Sequence, residues 1–428
     1  MNYAETVQWL FAQLPMFQRV GASAFKKDLT NTLKLMALLQ EPQRQFKSVH
    51  IAGTNGKGTT AHTLAAIFTT AGYKTGLYIS PHYKDFRERI KIDGQYISEG
   101  EVVDFVAKYQ QDFISIQPSF FEMTVAMAFD HFARHKVDIA IIETGMGGRF
   151  DSTNVIIPEL SIITNIGYDH TQFLGDTLPL IAFEKAGIIK PKVPVVIGET
   201  QPETQPVFNQ AAKDRNSPIS YADQHYRVVR TDSAIGGMTV DVLKDGKPYL
   251  ENLQTDLYGN YQLKNLATVF GAVEQLQVQG YKIDEVILRK SLSNIKESST
   301  FMGRAQVLQR NPLVLVDSGH NEAGFKEIFG LIAELAFPGL HIVIGTVNDK
   351  DLTKMLPLLP KEATYYFCRP DIPRGRDAEE LRIESVKYDL RGQSYPSVQD
   401  AYKAALSAAL VSELVFVGGS VFVVAEVI

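Results

Sequence analysis

A glycine-rich segment has the residue types that bind phosphate. Gly53-Thr54-Asn55-Gly56-Lys57-Gly58-Thr59 follows the apolar run Val49–Ala52 and precedes a stretch of helical spacing, Thr60–Ala71. Glycines let successive backbone N–H groups turn toward one point, the helix adds its positive dipole end, and Lys57 adds a mobile cation. The spacing differs from the common G-x4-G-K-[ST] loop, because glycine follows the lysine. We therefore predict a nucleotide-phosphate site at Thr54, Asn55, Gly56, Lys57, Gly58 and Thr59.

Other reactive side chains follow apolar runs further along the chain. Glu143 closes the run Asp138–Ile142, His170 follows the run Leu160–Ile166, and Lys185 comes fifteen positions after His170. A carboxylate at the carboxyl end of a parallel strand, beside a phosphate loop, is a typical Mg²⁺ ligand. Taken alone, these residues could equally be a helix cap, a structural hydrogen-bonding group and a solvated surface lysine.

Alternating strand and helix patterns indicate an α/β protein. Apolar runs suited to a helix-covered parallel sheet are Val49–Ala52, Thr75–Ile79, Asp138–Ile142, Leu160–Ile166 and Val193–Ile197. The stretch 219–257 is polar and alternating, with a turn at Asp245-Gly246, and it predicts a small antiparallel patch. Leu263–Leu276 then has helical spacing, so that Gln262 and Asn265 could face one pocket.

A second α/β domain is predicted after a polar, linker-like run, Glu297–Thr300. Strand patterns restart at Leu313–Val316, His341–Ile344, Thr364–Phe367 and Leu414–Val417. We place the boundary near residue 298, which gives a P-loop domain over 1–297 and a smaller Rossmann-like domain over 298–428. Asp317 and His320, directly after the first of these strands, could cap the next helix or bind a ligand.

Composition is that of an ordinary soluble enzyme. The chain has 428 residues, 45% of them hydrophobic, and a net charge of −5, which argues against nucleic acid as a partner. A single cysteine, Cys368, fits a reducing cytosol. The N-terminal segment has helical spacing at Val7, Leu10, Phe11 and Leu14 and no basic leader, and no apolar run is long and unbroken enough to span a bilayer. We expect a cytoplasmic monomer without membrane contact.

The glycine loop resembles the P-loop of the Mur ligase superfamily, in its folylpolyglutamate synthase / dihydrofolate synthase variant, where glycine follows the lysine. Further segments agree with that family in order along nearly the whole chain: Ser80-Pro81-His82, Glu88-Arg89-Ile90, Glu143–Arg149, Asp151–Asn154, Asp169-His170, Leu174-Gly175, Lys185–Lys190, Asn260-Tyr261-Gln262 with Asn265, and Asp349-Lys350-Asp351. The resemblance implies an ATP-dependent ligase that adds L-glutamate to a folate through an acyl phosphate, with ATP bound between the two domains.

The resemblance also implies roles for individual residues. Ser80 and Glu143 would hold one Mg²⁺, and His170 would hold a second together with Lys185. A protonated lysine repels Mg²⁺, and the family solves this by carbamylating that lysine with CO₂. The resemblance further implies ATP contacts from Gln262, Asn265, Arg304, Asp317 and His320. It implies folate contacts from Ser80, Pro81, Phe86 and Arg89, and glutamate contacts from Asp317, His320 and Ser420. The implied catalytic residues are Lys57, Lys185, His170 and His320.

Several positions depart from the family pattern. Met302 replaces the proline before Gly303-Arg304, while Ser318, Gly319 and Glu322 differ from the family's Asp-Gly-Ala-His-Asn-Pro. Gly418-Gly419-Ser420-Val421-Phe422 is a loosened version of its Gly-Ser-Leu-Tyr. These departures lie in the domain that should bind the amino acid, so glutamate is less firmly implied than ATP.

Alternative functions remain open from the sequence. Within the family, the enzyme could instead act on dihydropteroate, or on both substrates. A cell-wall Mur ligase is disfavoured by the loop variant, by Asp349-Lys350-Asp351 and by the 48 residues before Val49, too few for a UDP-binding domain. A regulatory nucleotide switch would not need the second domain. A non-catalytic paralogue would account for the departures near Ser318.

Lys57→Ala should abolish ADP formation while leaving the fold intact. The lysine contributes a cation to phosphate binding and little to core packing, and loss of one such charge-stabilising group costs about 10²–10³-fold in turnover. ADP release and circular dichroism of the variant measure the two effects. Near-normal turnover would contradict the assignment of the phosphate loop.

Overall fold

The computed structural model describes residues 1–13 and 28–428; Leu14 of the predicted N-terminal helix lies outside them. The chain divides into two compact units. The first comprises Met1–Ser233, Met238–Asp256 and Gln262–Phe301, and the second comprises Ala234–Gly237, Leu257–Tyr261 and Met302–Ile428.

The strands are, in chain order, β1 Lys47–Ala52, β2 Thr75–Tyr78, β3 Ile90–Ile92, β4 Gln95–Tyr96, β5 Ile139–Glu143, β6 Leu160–Ile163, β7 Val195–Ile197, β8 Ile219–Tyr221, β9 Tyr226–Ala234, β10 Gly237–Lys244, β11 Lys247–Thr255, β12 Gln306–Arg310, β13 Leu313–Asp317, β14 Leu340–Ile344, β15 Thr364–Cys368, β16 Arg391–Tyr395 and β17 Leu414–Gly418.

The α-helices of the described residues are α1 Tyr3–Gln13, α2 Thr30–Leu38, α3 Lys57–Thr70, α4 Glu99–Ile116, α5 Phe120–Arg134, α6 Thr171–Leu174, α7 Leu178–Ala186, α8 Gln205–Asp214, α9 Ala222–His225, α10 Tyr261–Val278, α11 Glu285–Leu292, α12 Ile295–Ser299, α13 Glu322–Leu335, α14 Leu352–Met355, α15 Ala378–Val386, α16 Val398–Ala408 and α17 Val421–Ala425. Short 3₁₀ turns lie at Pro42–Arg44, Phe86–Arg89, Ser152–Val155 and Leu356–Leu358.

The first unit contains an eight-stranded sheet in the order β4-β3-β2-β5-β1-β6-β7-β8. Strands β2, β5, β1, β6, β7 and β8 are parallel, and β3 and β4 form an antiparallel edge. All five residues of β5 are buried, as expected for a strand covered by helices on both faces. Because the parallel strands run the same way, the residues after β1, β5 and β6 meet at one edge of the sheet.

A small sheet of order β11-β10-β9 confirms the predicted antiparallel patch, including the turn at Asp245-Gly246 between β10 and β11. The first residues of the stretch 219–257, Ile219–Tyr221, instead form β8, which is parallel to β7 in the large sheet. The second unit has a six-stranded sheet of order β12-β13-β17-β14-β15-β16. In it, only β12 pairs antiparallel with its neighbour. The predicted α/β class is therefore confirmed. Cys368 closes β15 and is fully buried.

The polar run Glu297–Thr300 is not an exposed linker, contrary to the sequence-based expectation. Its first three residues belong to α12, and Ser299 is buried, with its hydroxyl 2.9 Å from His62 Nδ1. Lys91, also buried, donates to the carbonyl oxygens of Ser299 at 3.0 Å and Thr300 at 3.3 Å. These partners are more than 200 positions away in the chain, so local composition gave no indication of them.

Among the described residues, no helix is both long and apolar enough to cross a bilayer.

Ser119→Ala should lower the stability of the first unit by about 1 kcal/mol, because Ser119 caps α5. Its hydroxyl accepts from Glu122 N at 3.2 Å, and the Glu122 carboxylate accepts from Ser119 N at 2.5 Å. The sole tryptophan, Trp9, packs against Phe113 of α4, with 6.4 Å between the two ring centroids. Its fluorescence therefore reports unfolding of this unit in urea. Ser407→Ala, at an exposed position in α16, is the control and should leave that transition unchanged.

Candidate active site

The phosphate loop adopts a backbone that requires glycine at two positions. Gly53 has φ +152° and Gly56 has φ +83°. A Cβ on Gly53 would overlap the Thr164 hydroxyl, and one on Gly56 would overlap the side-chain oxygen of Asn265. The loop therefore packs tightly against the segment after β6 and against α10.

Residues after β6 hold the loop by hydrogen bonds. Asn165 accepts from Thr54 N at 2.9 Å through its carbonyl and from Asn55 N at 3.0 Å through its side chain, while the Thr164 hydroxyl donates to Asn55 O. Helix α3 begins directly afterwards, and its first intrahelical bond is Thr60 N to Gly56 O. The amides of residues 57–59 therefore have no acceptor within the helix, which makes this end suited to an anion.

Two lysines converge on one carbonyl of this loop. Lys57 Nζ lies 3.0 Å from Gly53 O and 3.2 Å from Thr54 O, and Lys185 Nζ lies 2.7 Å from Gly53 O. Lys185 is 4% exposed. Burial, reinforced by the positive charge of Lys57, lowers the pKa of Lys185 to about 7, while Asp169 and Asp151 act in the opposite direction. The lowered pKa favours the neutral amine of Lys185 over its ammonium form.

A close backbone approach positions Lys185. A Cβ on Gly148 would lie 2.8 Å from Lys185 O, and one on Gly187 would collide with the backbone of Arg149. The same pair of segments is joined by an ion pair between Arg149 and Glu184 at 2.6 Å and by Asn154, whose amide donates to Arg149 O and Gly187 O. The turn after β5 and the end of α7 are thus packed together, and this packing places Lys185 beside the phosphate loop.

Candidate metal-binding oxygens lie beside the loop. Glu143, the last residue of β5, is buried, and its Oε2 lies 3.4 Å from Ser80 N and 3.9 Å from the Cβ position of Gly58. His170 directly precedes α6 and has a left-handed backbone conformation, with Nε2 3.8 Å from Asp169 Oδ2. A buried carboxylate next to phosphate-binding amides fits Mg²⁺, which prefers oxygen ligands. The roles of Ser80, Glu143, His170 and Lys185 as metal ligands stay predictions.

Gln262 and Asn265 lie together at the start of α10. Asn265 Nδ2 donates to Gln262 Oε1 at 2.8 Å, and both side chains are buried. The Nε2 of Gln262 is buried with no hydrogen-bond partner among the residues that the structure describes. A buried donor of this kind fits a polar ligand such as a nucleotide base, so the predicted ATP contact is chemically reasonable at this place.

The segment predicted to bind a folate is held by buried groups. Glu88 accepts from the backbone N–H groups of Tyr83, Lys84 and Asp85 at 2.6–2.9 Å. Phe86 and Arg89 are each 2% exposed, and both lie against the ring of Phe120. Ser80 and Pro81 are half-buried at the start of the segment. The predicted contacts of these four residues with a folate stay predictions, and Phe86 and Arg89 have a clear structural role.

In the second unit, both carboxylate oxygens of Asp317 accept hydrogen bonds from the protein. Its Oδ2 accepts from Ala305 N at 2.8 Å and Tyr261 Oη at 3.0 Å, and its Oδ1 accepts from Gly319 N at 2.7 Å. His320 Nδ1 lies 3.1 Å from Ser318 O. The helix cap is supplied by Asn321, whose side chain accepts from Gly324 N at 2.9 Å.

Ser420 is also a helix cap, since its hydroxyl accepts from Phe422 N at 3.0 Å at the start of α17. Arg304 is half-buried in the segment that precedes β12. The predicted ligand contacts of Arg304, Asp317, His320 and Ser420 stay predictions.

Sequence reasoning did not assign three residues that build the site. Thr164 and Asn165 hold the phosphate loop, and Asp151 anchors the turn after β5 by accepting from Met146 N and Thr153 N. A signal was available for the first two, because a polar pair directly after a buried parallel strand lies at the edge where the loop must be. Asp151 lay within a quoted motif, and a local signal was available for it too, because an aspartate commonly accepts from the backbone N–H two residues further on, here that of Thr153.

The chain is similar to known proteins over nearly its whole length. Residues 51–273 match the Mur ligase middle domain, and residues 303–421 match the Mur ligase glutamate ligase domain. The dihydrofolate synthase/folylpolyglutamate synthase of Bacillus subtilis is 32% identical over 435 aligned positions, which span 99% of this chain and 98% of the relative. The corresponding enzyme of Escherichia coli is 32% identical, over 88% of this chain and 85% of its own.

Two solved structures have the same architecture. Folylpolyglutamate synthase of Mycobacterium tuberculosis, complexed with ADP and AMPPCP, superposes with a TM-score of 0.86 at 31% identity, covering 99% of this chain and 97% of that one. Escherichia coli FolC, in complex with DHPP and ADP, gives a TM-score of 0.86 at 28% identity, covering 100% and 97%.

Gly148→Ala should reduce ATP-dependent ADP release by about 100-fold, because its Cβ would force apart the backbones that position Lys185, and a 1 Å misplacement costs about that much. Gly330→Ala is the matched control: it lies in α13, and a Cβ there meets nothing within 4 Å. The control should keep full turnover. Equal turnover in both variants would contradict the positioning role of Gly148.

Proposed function

Because the chain belongs to the Mur ligase family and, within it, to the folylpolyglutamate and dihydrofolate synthases, we propose that it joins L-glutamate to a reduced folate. It is an ATP-dependent amide-forming ligase. The observation that supports this proposal best is the convergence of Lys57, Lys185 and Glu143 on the phosphate loop.

The reaction has two steps. A carboxylate oxygen of the folate attacks the γ-phosphorus of ATP, the bond to the ADP oxygen breaks, and an acyl phosphate forms. The amine nitrogen of glutamate then attacks the acyl carbon, loses a proton and expels phosphate, which leaves an amide. Lys57 and the amides of residues 57–59 stabilise the negative charge on the phosphates in the first step.

The buried oxygens around the loop are proposed to hold two Mg²⁺ ions. Glu143 and Ser80 would bind one, and His170 would bind the other together with Lys185 as a carbamate. When bound, Mg²⁺ supplies positive charge to the transferred phosphoryl group. Carbamylation joins the neutral Lys185 amine to CO₂ and releases a proton, and the pKa of about 7 makes that amine available. The product is an oxygen ligand of the kind that Mg²⁺ prefers.

The remaining predicted contacts complete the proposal. Gln262, with its buried unpaired amide nitrogen, and Asn265 are assigned to ATP. Arg304, Asp317 and His320 are assigned to ATP as well. Ser80, Pro81, Phe86 and Arg89 are assigned to the folate, and the last two also support that segment from the core. Glutamate is assigned to Asp317, His320 and Ser420, and the active form is proposed to be a monomer.

Dihydrofolate synthase activity is the second candidate, on dihydropteroate in place of a folate. The relatives from Bacillus subtilis and Escherichia coli carry both activities in their names. The chemistry of the two steps is the same, and the substrates differ in whether a first glutamate is already attached.

ADP release should require both L-glutamate and a pterin substrate. Assays of the full chain with tetrahydrofolate, with dihydropteroate and with a UDP-linked muramyl substrate separate the alternatives. Turnover with tetrahydrofolate supports polyglutamylation, and added turnover with dihydropteroate shows a bifunctional enzyme. Consumption of the muramyl substrate, or ADP release independent of glutamate, would contradict the proposal.

Lys185→Ala should lose most activity, and a short carboxylate such as acetate should restore part of it by replacing the carbamate oxygens. Lys185→Arg should not respond to acetate, because the guanidinium keeps its charge and fills the space. Lys190→Ala is the matched control: this lysine is in the same motif, but its Nζ donates to Asn154 O at 2.9 Å, away from the loop. The control should be active and insensitive to acetate. Full activity of Lys185→Ala would overturn the role of this lysine.

A further inference from the structure

Three side chains that the ligase reaction does not use meet at the surface of the first unit. Glu101 lies in the first turn of α4, and His131 and His135 lie one turn apart at the end of α5. Glu101 Oε1 is 3.3 Å from His131 Nδ1 and 2.7 Å from His135 Nε2. The ligand atoms of all three residues lie within 4.8 Å of one another. Within residues 1–13 and 28–428, no other group of three His, Cys, Asp or Glu side chains is arranged in this way.

Local structure directs these atoms toward one point. The i, i+4 spacing places both histidines on the same face of α5, and their ring centroids are 4.4 Å apart. Ser98 caps α4 and donates to Glu101 Oε2 from its hydroxyl at 2.8 Å and from its backbone N–H at 3.3 Å. Since these bonds occupy Oε2, the other oxygen of Glu101 faces the histidines.

One nitrogen of the cluster is buried without an aligned partner. His131 is 3% exposed, and its Nδ1 makes no hydrogen bond of good geometry within the described part of the chain, despite its distance of 3.3 Å from Glu101 Oε1. Buried polar atoms in native proteins almost always have a partner. A bound cation at the centre of the cluster would provide one.

We propose that Glu101, His131 and His135 bind a divalent transition-metal ion of the zinc class. Two imidazole nitrogens and one carboxylate oxygen form a common three-residue zinc ligand set, with water in the fourth position. Ligands at about 2.0–2.1 Å from zinc lie roughly 3.3 Å apart in a tetrahedron. The Glu101–His131 pair has this spacing, and the Glu101–His135 pair, at 2.7 Å, would have to separate slightly when the ion binds. Mg²⁺ is a poor occupant because it prefers oxygen ligands.

Neighbouring charges are compatible with a cation at this place. Arg134 Nη1 lies 4.0 Å from Glu101 Oε1, but its Nε pairs with Asp130 Oδ2 at 2.7 Å, which offsets its charge. The low exposure of His131 also favours a neutral ring, since burial, partly offset by Glu101, lowers the pKa of His131 to about 4.

The cluster is distinct from the ligase site. His135 directly follows α5 and lies shortly before β5, and the candidate Mg²⁺ ligand Glu143 is at the carboxyl end of that strand. A bound ion would therefore link α4 to α5 at the opposite end of β5 from the phosphate loop. Because it binds the folded state, it should raise the melting temperature of the first unit.

Titration of the full chain with Zn²⁺ alone, in buffer containing Mg²⁺ and no nucleotide, tests the proposal. We expect one Zn²⁺ per chain, a higher melting temperature by Trp9 fluorescence, and a visible absorption band of tetrahedral type when Co²⁺ replaces zinc. Glu101→Gln and His135→Ala, both at partly exposed positions, should each weaken binding at least tenfold and abolish the band. Ligase turnover in Mg²⁺ should be unchanged in both.

Two control variants make the result decisive. His225→Ala removes another histidine paired with a carboxylate, Asp245 at 2.9 Å, and should leave Zn²⁺ binding intact. His170→Ala removes the histidine of the ligase site and should also leave it intact. Wild-type affinity in His135→Ala and Glu101→Gln, loss of binding in His170→Ala instead, or no binding by the wild type would each overturn the proposal.

Discussion

Two lysines share one carbonyl oxygen, and the rest of the site is arranged around that contact. Lys57 and Lys185 both approach Gly53 O to 3.0 Å or less, and Lys185 is nearly inaccessible to water. Two ammonium groups in such an environment repel each other, so the arrangement favours loss of a proton from one of them or the arrival of negative charge. ATP brings negative charge to Lys57, and a carbamate would convert Lys185 itself into an anion.

The surrounding structure keeps these lysines in place by close backbone packing. Gly148 and Gly187 allow the turn after β5 to touch the end of α7, and Gly53 and Gly56 allow the loop to touch Thr164 and Asn265. Each contact joins segments that are far apart in the sequence. The glycines of the quoted motifs therefore act by permitting approach between segments as well as by permitting unusual φ angles.

Much of this arrangement followed from the sequence, because a buried parallel strand has a strong apolar signal and its carboxyl end has a known place. The apolar runs ending at Ala52 and Glu143 predicted where the phosphate loop and a carboxylate would meet. What the sequence did not indicate was the environment of polar residues. Ser299 lies in a linker-like run but is buried against His62. Asp317, predicted to contact ligands, also accepts hydrogen bonds from Ala305, Tyr261 and Gly319. Burial of a polar group depends on distant partners, which local composition does not record. The departure at Ser318 has a structural explanation for the same reason, since its hydroxyl and its amide both donate to Gly303 O at 3.0 Å.

The buried cysteine at the end of β15 can report on the opening of the second unit. Cys368 is fully buried, and burial raises the pKa of its thiol far above the usual range, which disfavours the thiolate that reacts with disulfide reagents. As the only cysteine in the chain, it can be labelled only when the second unit opens. The rate of thiol labelling without denaturant therefore reports on the opening of that unit.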